Sequence, residues 1–486
     1  MKSFALLSET VFTVQRFSLY PFVATLLIVA LFTTDLHAQR ITYESLRMRD
    51  RQPNVFVDHL VMPDFTSNEL TLVTTFRLEH NFLSFRSYRG ETSREQMRQF
   101  YAEPTVRISV RETIQRQGAD QRQESRTNSG ETIATRTWSE AVYTETFEQT
   151  QSSGLFVQNM IKTSLAPGRY HIETVMTADS RTRRDRVPGF KVSDADDSEI
   201  AYFYFLDDPS EVSPPYQAPL MNMGRNVYFG RDHQLAIWFP DTADDADYKL
   251  EIHQLRIQRG DTTEVNRVLE HSIDQEELLT GYHANFLMED EQPHLKLQES
   301  DNADSRGAFY LLQIPNSTYE NAHFRIRLTR TSAEGEETVL ASRTYQSLWL
   351  DMPVSLYNLD VAINMMRFIV DDETLRSLRR GSRQEREKRF QEFWSQRDPS
   401  PDKEYNELMV EYFRRIDYAF EKFTTPQKPG YESDQGKIYI THGEPVRRER
   451  TFPPNQSARE TWHYNSRTFV FEATTGFGDY RLVERK

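Results

Sequence analysis

Residues 165–176 read LAPGRYHIETVM, and this stretch decides the architecture of the first half of the chain. Pro167-Gly168 makes a tight turn. Tyr170, Ile172, Thr174 and Met176 then fall on every second position, and Asp179-Ser180 ends the run. A period of two places them on one face of a strand. Turn, strand and turn at this spacing predict an immunoglobulin-like sandwich. The same alternation appears upstream at Leu70, Leu72, Thr74, Phe76 and Leu78, and at Val106, Ile108 and Val110. One face of each strand is expected on a core and the other in water. Gln115 to Thr132 is polar and reads as a long hairpin loop.

A linker is expected at Ser193 to Ser198, followed by a second β unit that runs to about Leu350. Its strand candidates include 200–206, 235–239, 248–252, 309–314 and 324–328, with acidic loops between them. Near Ser355 the apolar period changes from 2 to 3.6. Tyr405, Leu408, Met409, Tyr412, Phe413, Ile416, Phe420 and Phe423 form one stripe of a long amphipathic helix. One or two earlier helices are expected over 359–394. Asp398-Pro399-Ser400-Pro401 breaks the helices, because proline disfavours helical geometry in the residue before it. After Pro429 short strands are expected at 437–441, 461–464, 468–472 and 480–483.

The predicted fold is therefore multidomain and mainly β with a C-terminal α+β domain. Residues 1–38 read as a signal peptide, 39–195 as a first sandwich, 196–353 as a second, acidic sandwich and 354–486 as the α+β domain. In the signal segment, Lys2 and Arg16 precede the uncharged run Phe17 to Phe32, and Ala38 supplies a small residue at the cleavage point. That order predicts export to the periplasm or cell surface. The apolar run is 16 residues long, short of the roughly 20 a spanning helix wants. Membrane contact is expected only through this segment, if it is retained.

The chain has no cysteine, which excludes disulfides and thiolate chemistry. Net charge is −14, concentrated between Asp194 and Asp304, where 25 acidic residues face 7 basic ones. Residues 354–486 carry 22 acidic and 23 basic residues. Nucleic acid is a poor partner for such a surface, since phosphate contact needs a basic footprint.

The C-terminal third carries an ordered set of motifs. Phe393-Trp394, Arg397-Asp398-Pro399, Asn406-Glu407 and Tyr412 come first. Gly430-Tyr431-Glu432-Ser433-Asp434, Gly436 to Ile440 with Tyr439, and Gly443-Glu444-Pro445 follow. Trp462-His463 and Gly476-Phe477-Gly478-Asp479 complete the set. In this order, over about residues 367–483, they resemble the GWxTD domain family. Tyr431 stands where that family has tryptophan and Ser433 where it has threonine; both keep the chemical type. The resemblance implies an exported bacterial protein without an established activity.

Read physically, these residues point first to structure. The glycines suit close backbone approach, and Asp434 suits a turn cap before Gly436. The aromatics suit burial between helices and sheet. Arg397, Asp398, Gly430, Tyr431 and Asp434 are expected to form one junction. The rival reading is a hydrolase or transferase that gathers Asp398, Glu407, Asp434, Glu444, His442 and His463 as acid and base. No HExxH, Gly-x-Ser-x-Gly or phosphate-cradling loop supports it. Asp241, Asp244, Asp245 and Asp247 lack the spacing of a calcium loop. The arginines 376, 379, 380, 383, 386 and 389 interleave with glutamates and read as a solvated helix face. No catalytic residue, metal or cofactor is expected. The expected role is non-catalytic binding or scaffolding in the cell envelope, with an envelope protein or glycan as partner.

Overall fold

The computed structural model describes residues 42–49, 53–62, 70–90, 98–114, 128–192, 201–207, 216–239, 246–258, 260–299, 307–452, 457–474 and 479–486. The signal segment, the 193–198 linker, Asp241, Asp244, Asp245, Gly476 and Gly478 lie outside them. The chain forms two compact units that do not follow chain order. One contains residues 53–353 together with Lys388–Arg414; the other contains 42–49, Val354–Glu387 and Arg415–Lys486.

The first unit is built on antiparallel sheets. Val55–Met62, Leu70–Glu79 and Phe156–Leu165 form a three-stranded sheet. Arg181–Val192, Gly168–Ala178, Thr105–Ile114 and Asn128–Ser139 form a four-stranded one. Phe76, Leu78, Val106, Ile108, Val110, Ile172 and Met176 make the core they share. In the Gly168–Ala178 strand, Tyr170, Ile172, Thr174 and Met176 are all buried, as the alternation predicts. The strand after the expected polar loop starts at Asn128, earlier than its composition suggests.

The Leu70–Glu79 strand departs from the half-exposed expectation, because both of its faces are covered. Its second face carries Val73 into another core with Leu60, Tyr204, Trp238 and Phe286. The same face buries Arg77 and Glu79, which pair at 3.5 Å. The Arg77 guanidinium sits 3.6 Å over the Phe156 ring and also donates to the Tyr228 hydroxyl. Burial pushes the Glu79 carboxyl up to about 7, against the pull of Arg77.

That raised value sets a sign. Glu79's contribution to stability is complete below its ordinary value of 4.5 and is lost as pH rises through about 7. Buried His233 acts oppositely: burial lowers it to about 3, so its contribution is present above 6.5 and is lost as pH falls through about 3. The two overlap, so the useful measurement is the difference between wild type and Glu79→Gln. From about pH 4.5 to about pH 8 that difference is expected to move against the wild type by on the order of 2–3 kcal/mol. Denaturant melts at both pH values check it, and a difference independent of pH contradicts it.

The second β region has three layers. Tyr202–Leu206, His233–Phe239, Ala308–Ile314 and Leu279–Thr280 form the middle sheet. One of its faces packs Leu235, Ile237 and Phe239 on Leu250, Ile252, Phe324 and Ile326. The last four come from the five-stranded sheet that includes Asp247–Gln258, His323–Thr331 and Glu337–Leu348. The opposite face packs Ala236, Trp238 and Phe309 on Phe286, Leu295 and Leu297. Every residue of His233–Phe239 is buried, which accounts for the unbroken apolar run Leu235–Phe239 within it.

Six helices matter here: α1 (Tyr43–Arg49), α2 (Leu359–Met365), α3 (Asp372–Arg379), α4 (Arg383–Ser395), α5 (Glu407–Phe423) and α6 (Asp434–His442). Among the described residues, no helix is long and apolar enough to cross a membrane. The span 359–394 is thus three helices. Asn358 caps α2 by accepting from Asp360 N and Val361 N, and Asp371 caps α3 by accepting from Thr374 N. The unit boundary falls within α4 and within α5. Leu408 lies off the buried stripe of α5 and is exposed, whereas Val410, Phe413, Ile416 and Ala419 are buried. Residues 437–441 are helical, correcting the expected strand. The sheet of the second unit is Arg447–Thr451, Arg459–His463, Thr468–Ala473 and Tyr480–Arg485.

Candidate functional site

The Gly430–Asp434 segment is bound into its unit by backbone contact. Gly430 N donates to Thr424 Oγ1 at 2.9 Å, and a side chain at 430 would meet Ala419 O at 1.9 Å. Gly436 approaches Gly430 just as closely: its Cβ would lie 1.9 Å from Gly430 O. Ser433 joins the two, donating to Gly430 O at 2.6 Å and accepting from Gly436 N at 2.9 Å. Ser433 is therefore the N-cap of α6, and this cap makes 434–442 a helix although Ile438 and Ile440 alternate as in a strand.

Tyr431 is buried, 5.5 Å from Tyr43 and 6.2 Å from Phe420 by ring centroids, and its hydroxyl donates to Glu44. Burial, with the Glu44 bond second, raises this phenol well above its ordinary value. Asp434 does not cap the local turn; its Oδ2 accepts Leu482 N at 2.9 Å, in the last strand. Tyr439 stacks on Tyr418 at 4.2 Å. Gly443, at φ 77°, ends α6, and its N–H bonds Tyr439 O. Trp462 is fully buried against Phe423 and Phe471, and its Nε1 donates to Glu460 at 2.8 Å.

Of the residues in the acid–base reading, Asp398, Asp434 and His463 have polar contacts. His463 Nε2 is 3.4 Å from Glu449. His442 lies against Phe469, and burial and nearby arginines lower its pKa. Glu444 is exposed while Pro445 is buried. Asp479 Oδ1 pairs with Lys428 at 3.3 Å. In the other unit, Trp394 packs on Tyr412 and Phe413, and its carbonyl accepts Asn406 Nδ2 at 3.0 Å. Asn406 Oδ1 accepts Met409 N at the start of α5, beside exposed Glu407.

Arg397 is exposed, lies over the Phe393 ring and donates to Phe393 O. Asp398 Oδ1 accepts Ser400 N at 2.9 Å. Arg397 and Asp398 thus have local partners in one unit, and Gly430, Tyr431 and Asp434 have theirs in the other. Of the arginine run, residues 376, 379, 380 and 383 are exposed, and Arg386 donates to Asp360. Among the described residues, no three acidic or histidine side chains gather as a metal site.

A match to the GWxTD domain covers residues 353–483, from before α2 to the last strand. Residues 353–483 are a GWxTD domain. Within it, Gly430 is a close-approach residue, Tyr431 is buried, Ser433 is the cap of α6 and Asp434 reaches the last strand. No curated protein matches the chain. Among solved structures, a purple acid phosphatase from yellow lupin is 8% identical over 61% of this chain and 41% of its own, with TM-score 0.15. A collagen adhesin from S. aureus is 9% identical over 60% and 91%, with TM-score 0.14. The collagen-binding domain of RspB from Erysipelothrix rhusiopathiae is 10% identical over 60% and 95%, with TM-score 0.17.

The GWxTD acid supports a direct test. Asp434→Ala removes the acceptor of Leu482 N and a negative charge from the first turn of α6, a loss of about 1–2 kcal/mol. Amide exchange at Leu482 is expected to accelerate in Asp434→Ala and to stay slow in Asp434→Asn. Unchanged exchange in both variants contradicts the assignment.

A concavity lies in the first unit, outside the GWxTD motif. A cleft of about 620 Å³ is bordered by Asp58–Val61, Val187, Phe190, Lys191, Ala201–Tyr204, Arg225 and Leu340–Thr344. Tyr204 Oη closes one end by donating to Val61 O at 2.7 Å. Asp58 accepts its neighbour's His59 N at 2.9 Å and Arg343 Nη2, and Arg225 Nε lies 3.7 Å away. His59 is fixed between Thr74 Oγ1 at 2.9 Å and Asp185 Oδ2 at 3.3 Å, and that ring holds Asp185 below its usual range. No sequence signal marked these residues, which come from distant segments.

Proposed function

We propose that this chain is an exported, non-catalytic binding or scaffolding protein of the bacterial cell envelope. In this reading the two β regions, residues 39–195 and 196–353, recognise an envelope protein or glycan. The GWxTD domain, about 354–486, is the folded base of the chain. The observation that carries the reading is the cleft at Asp58, Arg225 and Arg343, whose size falls in the range of about 300–1,000 Å³ usual for ligand sites. The partners of Asp398, Asp434 and His463 support the absence of catalysis. Cross-linking of intact cells with a membrane-impermeant reagent tests it. The expected product is a discrete adduct of a chain that begins at Gln39. Recovery from the cytosol with Met1 in place overturns export; recovery from the envelope without any adduct overturns binding.

A further inference from the structure

Helix α1 is a self-contained segment. Thr42 Oγ1 accepts Ser45 N at 3.3 Å and Ser45 Oγ accepts Thr42 N at 3.0 Å, so the helix is started by hydrogen bonds within its own residues. After α1 the chain passes into the other unit and returns at Val354. Side chains hold α1 in its own unit. The Tyr43 ring enters between Phe420, at 5.0 Å, and Tyr431, at 5.5 Å. Its hydroxyl donates to Asp417 Oδ1 at 2.7 Å, and Glu44 accepts from the Tyr431 hydroxyl. At the rim Arg47 lies 4.0 Å from Glu421, and both side chains are exposed.

Asp417, Phe420, Glu421 and Tyr431 lie within the GWxTD domain, residues 353–483, and α1 does not. A buried aromatic anchor with its hydroxyl satisfied, ringed by polar contacts, is the anatomy of a protein–protein interface rather than of a helix continuous with its neighbours. The occupant that fits this groove is α1 itself, and every copy of the chain carries one. Two copies that exchange α1 break and remake the same contacts. The balance then turns on chain concentration against the effective concentration of the tethered helix, which is about millimolar for a short tether. Five residues, 50–54, separate α1 from the next strand. Reciprocal exchange closes on itself, so assembly stops at two copies.

We propose that the groove of Asp417, Phe420 and Tyr431 is a docking site for α1 of a second copy, and that two copies associate by exchanging this helix. This association goes beyond the binding by the β regions proposed above and does not depend on it.

The chain has no cysteine, so single-cysteine variants give a specific readout. Arg47→Cys marks the helix and Glu421→Cys marks the groove. Their ion pair is exposed and contributes little, so both variants are expected to fold as the wild type does. The two are mixed at about 0.1 mM, where on the order of a tenth of the chains is expected in the exchanged form. A short bis-maleimide then traps each encounter of 47 with 421 irreversibly. The expected product is a covalent heterodimer joined through those two positions, identified by mass spectrometry, in a yield that rises with chain concentration. A free peptide of residues 39–50 at several millimolar is expected to lower that yield at least about two-fold. The same peptide carrying Tyr43→Ala and Glu44→Ala is expected to leave it unchanged.

The double variant, Arg47→Cys with Glu421→Cys, is expected to bridge within one chain. If it does so while the mixed chains give no heterodimer, α1 is fixed in its own chain and the proposal is overturned. A double variant that fails to bridge removes the docked geometry and overturns it as well. A heterodimer suppressed by both peptides, or by neither, is unspecific association and has the same consequence.

Discussion

Gly436→Ala is expected to unfold or severely destabilise the unit that contains Arg415–Lys486. In an ordinary helix interior the change would be favourable by about 1 kcal/mol, because alanine is the better helix former. Here the added carbon would lie 1.9 Å from Gly430 O and 2.8 Å from Gly430 C, both backbone atoms. Gly430 cannot retreat, because its own missing side chain already allows contact with Ala419 O, Thr424 N and Phe423 C of the preceding helix end. Ser433 also ties Gly430 and Gly436 through its hydroxyl. Overpacking in a core costs typically 1–3 kcal/mol, and a clash between two fixed backbones belongs at or beyond the top of that range. A net loss of about 3 kcal/mol or more is therefore expected in denaturant melts of the full chain. A neutral or stabilised variant would show that helix propensity wins and that the close approach is not obligatory.

Tyr43→Ala is expected to have the second large effect, on the same unit. Tyr43 is 1% exposed although it belongs to a seven-residue helix near the chain's start. Its ring packs on Phe420 at 5.0 Å and on Tyr431 at 5.5 Å, and its hydroxyl donates to Asp417 Oδ1 at 2.7 Å. Asp417 Oδ2 accepts Val354 N at 3.0 Å, so one carboxylate ties the N-terminal helix to the start of the GWxTD domain. Removing a buried aromatic side chain costs about 3–5 kcal/mol. Tyr43→Phe keeps the packing and loses only the bond to Asp417, about 1–2 kcal/mol. Melts of both variants check the order. A Tyr43→Ala chain as stable as Tyr43→Phe would mean that the ring contributes little.

The legible parts of the fold were those whose pattern is local. Tyr170, Ile172, Thr174 and Met176 lie on one buried face because neighbouring positions on a strand alternate, whatever else is present. The break at Asp398-Pro399 and the helix to Phe423 were legible for the same reason. The Lys437–Thr441 segment was misread because Ile438 and Ile440 mimic that alternation, whereas burial around α6 and the Ser433 cap decide for helix. Leu70–Glu79 was half-read: its second face is covered by residues far away in the chain.

The GWxTD signature shows the same division. Its residue types and order were visible, and so was the suitability of glycine for close approach. That Gly430 meets Ala419, that Asp434 reaches Leu482 and that Tyr431 receives Tyr43 depends on segments up to hundreds of positions apart. The cleft is a stronger case, since Asp58, Lys191, Arg225 and Arg343 are ordinary charged residues until folding brings them together.

The amino-acid order by itself determined the mainly β character, the change of period near Ser355, the absence of thiol chemistry and the GWxTD motif. These rest on short-range geometry and composition, which act within a few residues. Tertiary structure alone decided which strand faces are covered, which glycines touch backbone, which unit receives Tyr43 and which charged residues border the cleft. Those outcomes depend on contacts between distant segments, and the energy of such a contact is written in neither segment alone.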